Sequence, residues 1–347
     1  MRPTPSPRIL AVGTAVPATE FSQEEVLDIL GYQDALRRGF FLRSGIERRH
    51  FFVDRRQARP HEDIDQLASR FREGSITLAV QAVEACLARA GLDVAQVDFL
   101  VTTTCTGRLC PSLDAHLIRA LGLREDIQRV HVGDTGCASA IVALEQAFNY
   151  LCAWPGRRAL AVAVEICSAS YFHDDSAETA VANAIFGDGA GAVVLGTEGS
   201  GVSMVTHRTL FRPEHLDRMG FVFPGGRPRI VLSKEIRRIA PSLMAELAGR
   251  LLKDRDLDKK DVRFWVLHSA GRGVLERAQT VLGLSDADLA FSRAILRRFG
   301  NISSATVLFV LDEVLRSGGP EPGNWGVMIA LGPGFAAEGA LLRWERG

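Results

Sequence analysis

The 347-residue sequence has no excess of charge, since 41 Lys and Arg balance 41 Asp and Glu. That removes the electrostatic footprint of a nucleic-acid binder. The arginine pairs Arg37-Arg38, Arg48-Arg49 and Arg297-Arg298 are dispersed and matched by acids, as on solvated faces. No apolar run is long enough to span a bilayer. Residues 1–8 carry three prolines and lack the apolar core of a signal peptide, and the pattern of the cysteines makes a reducing cytoplasm the expected setting. Cysteines are few: Cys86, Cys105, Cys110, Cys137, Cys152 and Cys167. None forms a CxxC pair, and the one close pair, Cys105 and Cys110, has no histidine cluster beside it. Neither a zinc site nor a thioredoxin-like pair is suggested, and no metal is expected. Clustered carboxylates suited to proton abstraction are lacking as well.

What the chain does have is core and repetition. At 47% hydrophobic residues it has ample material for two domains or two fused halves. Gly91-Leu92-Asp93-Val94-Ala95-Gln96-Val97-Asp98-Phe99-Leu100-Val101 matches Asp256-Leu257-Asp258-Lys259-Lys260-Asp261-Val262-Arg263-Phe264-Trp265-Val266, a constant step of about 165 residues. In each copy a polar connection feeds a short apolar strand. Amphipathic patterns over 76–90 and 239–252, with apolar residues recurring at three and four, predict a helix before each connection. Helix, loop and strand, twice over, imply a duplicated α/β unit with largely parallel sheets, right-handed crossovers and a pseudo-twofold axis.

Cys137 lies in Val132-Gly133-Asp134-Thr135-Gly136-Cys137-Ala138-Ser139-Ala140, where a glycine-punctuated, β-rich approach ends and an apolar helical stretch over 138–151 begins. A thiol at a helix N-terminus meets unpaired N–H groups and the positive end of the dipole, which favour thiolate. Free cysteine is also among the most buried residue types, so the position alone fits a nucleophile and a core thiol equally. The same step carries Cys137 to position 302, one residue past Asn301 in Phe299-Gly300-Asn301-Ile302-Ser303-Ser304-Ala305, another glycine-bearing turn before an apolar helix. Cys137 and Asn301 are therefore expected at equivalent corners. His268 ends the second strand, and its counterpart is Thr103. Taken singly, His268 fits a structural residue and Asn301 a helix cap. Brought together at strand C-termini, the three suit acyl transfer to sulfur and stabilisation of an enolate or oxyanion by two neutral donors.

Further segments carry a resemblance over nearly the whole chain. They are Ser44-Gly45-Ile46-Glu47-Arg48-Arg49, Cys105-Thr106-Gly107 with Cys110-Pro111-Ser112-Leu113-Asp114, Glu165-Ile166-Cys167-Ser168, Phe186-Gly187-Asp188-Gly189-Ala190 and Gly332-Pro333-Gly334. With the Cys137, His268 and Asn301 segments, in this order and spacing, the sequence resembles the type III polyketide synthases, relatives of chalcone and stilbene synthase in the thiolase superfamily. The resemblance implies an α/β, thiolase-like fold in which two pseudo-symmetric βαβ-containing halves form a layered αβαβα core. Residues 1–200 would carry the nucleophilic cysteine, and residues 201–347 the catalytic histidine and asparagine.

By the same resemblance, Cys137 holds an acyl-CoA starter and the growing chain, with His268, which also keeps Cys137 ionised, and Asn301 completing the catalytic set. Malonyl-CoA is decarboxylated and condensed onto the thioester, and the product closes to a pyrone, resorcinol or related phenolic. No metal or redox cofactor is called for, because the CoA thioesters are substrates. Phe186 would be the gatekeeper between tunnel and cavity. Glu165, Cys167, Ser170, Ile230 and Ser303 would line the walls, with Cys105 and Thr106 nearby and Cys110 reaching the partner's cavity in a homodimer. Arg49 would meet CoA phosphates at the tunnel mouth.

Three departures stand out. Most members carry Pro-Gly-Gly after the histidine, whereas this chain reads His268-Ser269-Ala270-Gly271-Arg272-Gly273. The Gly-Phe-Gly-Pro-Gly signature appears as Ala330-Leu331-Gly332-Pro333-Gly334, and Cys137 is followed by Ala-Ser-Ala in place of Ala-Gly-Gly. The nearest alternative is a β-ketoacyl carrier-protein synthase of the third type, fed by malonyl-acyl carrier protein. That family usually has Gln-Ala-Asn after its histidine and lacks a proline at the place of Pro333. A catalytically silent thiolase-fold partner is the alternative from a different class.

Overall fold

The repeated segment folds the same way twice. In the first copy, helix α3 (Ile64–Ala90) starts at a reciprocal cap between Asp63 and Gln66 and stops at Gly91, in the left-handed conformation. A 3₁₀ turn follows, in which Gln96 Oε1 accepts from the Asp93 N–H at 2.8 Å, and then strand β4 (Phe99–Thr104). In the second copy a helix over Ile236–Lys253 leads to a 3₁₀ turn where Asp261 accepts from the Asp258 N–H at 2.7 Å, and then to a strand over Val262–Leu267. The structure is a computed structural model that describes residues 6–56, 58 and 62–346. Both helices begin earlier than the apolar period predicts: α3 carries its buried face upstream through Phe71 to Leu67, and the second helix adds one turn ahead of the buried Ile239.

The remaining elements up to residue 200 are β1 (Arg8–Ala15), β2 (Glu20–Ser22), α1 (Gln23–Leu30), α2 (Ala35–Leu42), β3 (Arg48–His50), α4 (Leu113–Leu121), β5 (Gln128–Gly133), α5 (Ser139–Ala153), β6 (Ala159–Glu165), α6 (Ala177–Ile185) and β7 (Gly189–Gly196). Beyond it come β8 (Gly201–Phe211), β9 (Met219–Val222), β10 (Arg229–Leu232), α7 (Ile236–Lys253), β11 (Val262–Leu267), α8 (Arg272–Leu282), α9 (Ala290–Phe299), α10 (Thr306–Arg316), β12 (Trp325–Gly332) and β13 (Ala336–Glu345). Nine strands form one sheet in the order β11-β12-β13-β8-β1-β7-β6-β4-β5. Its two parts meet at the short β1–β8 pairing, where Arg8 faces Ser203 and Ile9 faces Val202.

The sheet is mixed, which corrects the expectation of largely parallel strands. β4 runs parallel to β5 and β6, and β11 to β12, while β6–β7, β7–β1, β12–β13 and β13–β8 are antiparallel. One reason is visible at Pro333–Phe335: a three-residue link between β12 and β13 is too short for a crossover. Helices α5 and α10 lie between the two parts of the sheet, and the same core cluster holds Val101 and Ala161 on one side and Val266 and Met328 on the other. Leu78 of α3 and Leu117 of α4 cover one outer face, and Leu247 of α7 and Leu275 of α8 the other. The result is the layered αβαβα arrangement of a thiolase-like fold.

Matching elbows precede the two central helices. Gly136-Cys137-Ala138 and Ser303-Ser304-Ala305 are both 3₁₀ turns opened by a residue of positive φ, Gly136 at +59° and Ser303 at +48°. The counterpart of Cys137 is thus Ser304, because the path from repeated strand to elbow is two residues longer in the second half. Asn301 stands ahead of its elbow and not at the corner equivalent to Cys137. Gly136 is obligatory on two counts: its φ is left-handed, and a Cβ there would lie 2.0 Å from Pro333 Cδ. Gly136→Ala is expected to cost about 2–4 kcal/mol through strain and overpacking. A urea unfolding midpoint unchanged from the parent would show that this contact does not hold the elbow.

Candidate active site

The site is assembled where a loop of the first half crosses one of the second. After α6, the Phe186-Gly187 backbone runs beside Gly300-Asn301: the Asn301 N–H donates to Ile185 O at 2.8 Å, and the Gly187 N–H donates to Asn301 O at 3.0 Å. Close approach explains both glycines, since a Cβ would lie 2.6 Å from Phe299 O on Gly187 and 2.6 Å from Ile185 O on Gly300. The Asn301 side chain is oriented as firmly as its backbone. Its Oδ1 accepts from the Ser303 N–H at 2.8 Å and from Thr306 Oγ1 at 3.4 Å, which turns Nδ2 toward Ala270 O, 3.4 Å away. His268 continues β11 by one residue, its N–H donating to Ile329 O at 2.9 Å, and its Nδ1 has no partner among the described residues.

Cys137, His268, Asn301 and Phe186 line one cavity of about 940 Å³. Its apolar walls include Val181 and Ile185 of α6, Met219 and Leu232 of the β9–β10 hairpin, and Phe335 after Gly334. The exposed Arg43, Lys234, Arg237 and Arg272 also border it, with Glu178 and Glu276 of opposite sign. Behind Cys137, one hydroxyl meets two sulfurs: Ser303 Oγ lies 3.3 Å from Cys137 Sγ and 3.2 Å from Cys105 Sγ. Cys105 leads on to Glu165, whose buried carboxylate accepts from the Cys105 N–H at 3.1 Å, from Thr106 Oγ1 at 2.9 Å, from Thr104 Oγ1 at 3.3 Å and from Ser304 Oγ.

Burial dominates the electrostatics. It pushes the Cys137 thiol up to about 12, against the hydrogen bond from Ser303, and pushes His268 down to about 4. Burial likewise raises Cys105 and Cys167 well above the usual thiol range, and it raises Glu165 against the hydrogen bonds that Ser304, Cys105 and Thr106 donate. In the unliganded protein thiol and imidazole are therefore both neutral at neutral pH. This corrects the thiolate expected at a helix N-terminus: Cys137 sits in a single 3₁₀ turn ahead of α5, and desolvation outweighs the terminal dipole there. The neutral imidazole retains a lone pair to accept a proton and an N–H to donate.

Other anticipated site residues sort by position. Cys167 packs with Phe186 and Ala182, and Cys137, Ile230 and Leu232 pack against that cluster. Glu165, Thr106 and Ser170 are fully or nearly buried and spend their polar atoms on one another's neighbourhood, Ser170 Oγ donating to Thr106 O at 2.9 Å; they form the layer behind the wall. Cys110 is exposed in the loop before α4. Arg49 corrects the expectation of a CoA contact. It is 0% exposed, and its Nη1 donates to Asn183 O and Phe186 O, both at 2.7 Å, capping the carbonyl end of α6. The rim residues Arg43, Lys234 and Arg237 were not predicted because no motif marks them. Phe335 carried a signal, its place directly after Gly332-Pro333-Gly334.

Comparison with known proteins gives the family and the fold. A family model described as FAE1/type III polyketide synthase-like protein matches residues 25–215, and the C-terminal domain of chalcone and stilbene synthases matches residues 228–344. The chain belongs to the type III polyketide synthase family. It is 35% identical to a 3,5-dihydroxyphenylacetyl-CoA synthase of Streptomyces toyocaensis, over 98% of this chain and 90% of that protein. It is 34% identical to a 1,3,6,8-tetrahydroxynaphthalene synthase of Streptomyces peucetius subsp. caesius, over 97% and 93%. Among solved structures, PKS-I of the brown alga Ectocarpus siliculosus superposes with a TM-score of 0.91 at 29% identity, covering 98% of each chain. The tetrahydroxynaphthalene synthase of Streptomyces coelicolor does so with a TM-score of 0.89 at 26% identity, covering 98% of this chain and 100% of that one. As a type III polyketide synthase the protein is a condensing enzyme of the acyltransferase type, and the carrier-protein synthase alternative is set aside.

Glu165→Gln tests the layer behind the sulfurs. It keeps the shape but offers one acceptor oxygen where several donors converge on two, so a loss of about 1–3 kcal/mol is expected. Unchanged urea stability would mean that these donors do not depend on the carboxylate.

Proposed function

We propose that this enzyme loads an acyl-CoA starter on Cys137, extends it by decarboxylative condensation with malonyl-CoA, and releases a cyclised pyrone, resorcinol or related phenolic. The observation that carries the reading is the meeting of Cys137, His268 and Asn301, drawn from both halves of the chain, in one cavity. In loading, Cys137 Sγ bonds to the acyl carbon as the bond to CoA sulfur breaks. The thiol proton passes to neutral His268 and on to the departing CoA thiolate. Malonyl-CoA then loses CO₂, and the electrons of the broken C–C bond become an enolate. Its oxygen accepts hydrogen bonds from Asn301 Nδ2 and from the His268 ring N–H, donors that serve the developing charge more than the ground state. The enolate carbon attacks the thioester, and Cys137 leaves as thiolate. Loss of CO₂ supplies the carbanion, so the cycle calls for no metal or redox cofactor.

At the mouth, Arg43, Lys234, Arg237 and Arg272 suit the phosphates of CoA and replace Arg49 in that role. Phe186, which lines the cavity and belongs to the cluster that Cys137 packs against, fits the gatekeeper role. A homodimer is supported by β5, the last strand of the sheet, whose Gln128, Arg129 and Val130 are exposed along an unpaired edge. Cys110 and the cavity of a partner would then come from different protomers. Among the described residues no helix is long and apolar enough to cross a membrane.

Two variants test the chemistry. Cys137→Ala is expected to fold and to show no added mass after exposure to acyl-CoA, and Asn301→Ala to lose most CO₂ release from malonyl-CoA. Condensation surviving in the first, or unchanged CO₂ release in the second, removes that residue from the mechanism. Turnover with malonyl-acyl carrier protein alone would reject malonyl-CoA as extender. Light scattering on the eluting protein is expected to give twice the 37.8 kDa chain mass, and a monomer would leave the β5 edge unexplained.

A further inference from the structure

The residue after the histidine, serine where the family resemblance leads one to expect proline, has a specific use. Ser269 and Ser292 are both fully buried. Ser269 Oγ donates to Ser292 O at 2.7 Å, and Ser292 Oγ donates back to Leu267 O at 2.9 Å. One residue of α9 therefore grips the chain on either side of His268, through two hydrogen bonds, each accepted by a backbone carbonyl. Seven residues further along, α9 ends at Phe299, and Gly300, with φ of +71°, turns the chain into Asn301. Asn301 touches the same loop again through Nδ2 and Ala270 O.

We infer that the Ser269–Ser292 pair positions His268 relative to Asn301, and so sets the geometry of decarboxylation in this enzyme. A proline would restrict its own φ and bias the backbone of the preceding histidine through its ring, without a donor. Here the loop is tied to the helix that delivers the asparagine, so the two donors move as one body. Ser269 and Ser292 themselves line no part of the cavity and touch no reacting atom; they act through His268. The inference rests on the malonyl-CoA decarboxylation proposed above. Its consequence is a kinetic split: misplacing one enolate donor lowers the rate of the chemical step, while CoA recognition at the rim stays as it was.

The test uses the full-length enzyme and measures CO₂ release from malonyl-CoA for the parent, Ser269→Ala, Ser292→Ala, Ser269→Thr and Ser292→Thr. Each alanine variant, which removes a single oxygen, is expected to lower kcat roughly tenfold with KM within about twofold of the parent. The threonine variants keep the hydroxyl and are expected to hold the parental kcat. Parental kcat in both alanine variants, a change confined to KM, or threonine variants as slow as the alanines would each overturn the inference, the last because it would report packing and not hydrogen bonding. If one alanine variant does not fold, the other decides, because the two remove different bonds. A parent that releases no CO₂ from malonyl-CoA sinks the proposed function instead, a result separate from any difference among variants.

Discussion

The site depends on a backbone crossing more than on any side chain. Two hydrogen bonds, Asn301 N–H to Ile185 O and Gly187 N–H to Asn301 O, join a loop of the first half to a loop of the second. They require glycine at 187 and 300, because any Cβ would meet a carbonyl oxygen. Arg49 braces the same crossing from beneath by capping the end of α6. With the crossing in place, Phe186, Asn301 and the Ser303 turn fall around Cys137 without further adjustment. The contact of Gly136 with Pro333 performs the matching service on the other side.

The polar groups behind Cys137 are costly to bury and are almost fully partnered, as buried polar groups must be. Glu165 gathers donors from β4, from the loop after it and from the elbow of α10, so its carboxylate ties three segments together. The same desolvation that raises this acid keeps the thiol and imidazole uncharged. A neutral thiol and a neutral imidazole lining one cavity hold no separated charges at rest, so the cost of desolvating ions is deferred until a proton moves between them.

Much of this was legible in the chain. The 165-residue repeat announces the duplicated unit, and both copies close their turn alike, the N–H of Asp93 or Asp258 donating to the side chain three residues on, Gln96 in one and Asp261 in the other. Cys137, His268 and Asn301 follow from strand ends and glycine turns. What the repeat obscures is the two-residue lag between strand and second elbow, which makes Ser304 the partner of Cys137, because spacing along a sequence does not reveal how much chain a turn consumes. Arg49 misleads for a related reason. Neighbouring arginines look alike in sequence, and only the alternation of β3, with Arg48 exposed and Arg49 buried, separates a solvated guanidinium from one that caps a helix. The thiol shift escapes because burial is a property of the assembled layers.

The cavity is built from unequal materials. Sulfur, imidazole and carboxamide stand on the central layers, whereas one side is formed by a separate two-stranded hairpin, β9–β10, none of whose strand residues is fully buried and whose tip leaves Phe223 58% exposed. Substitutions in that ribbon reshape the room left for a folding polyketide at little expense to the fold. Bond-making and product shape are thus heritable apart from each other, which gives a lineage freedom to change its metabolite without relearning its chemistry.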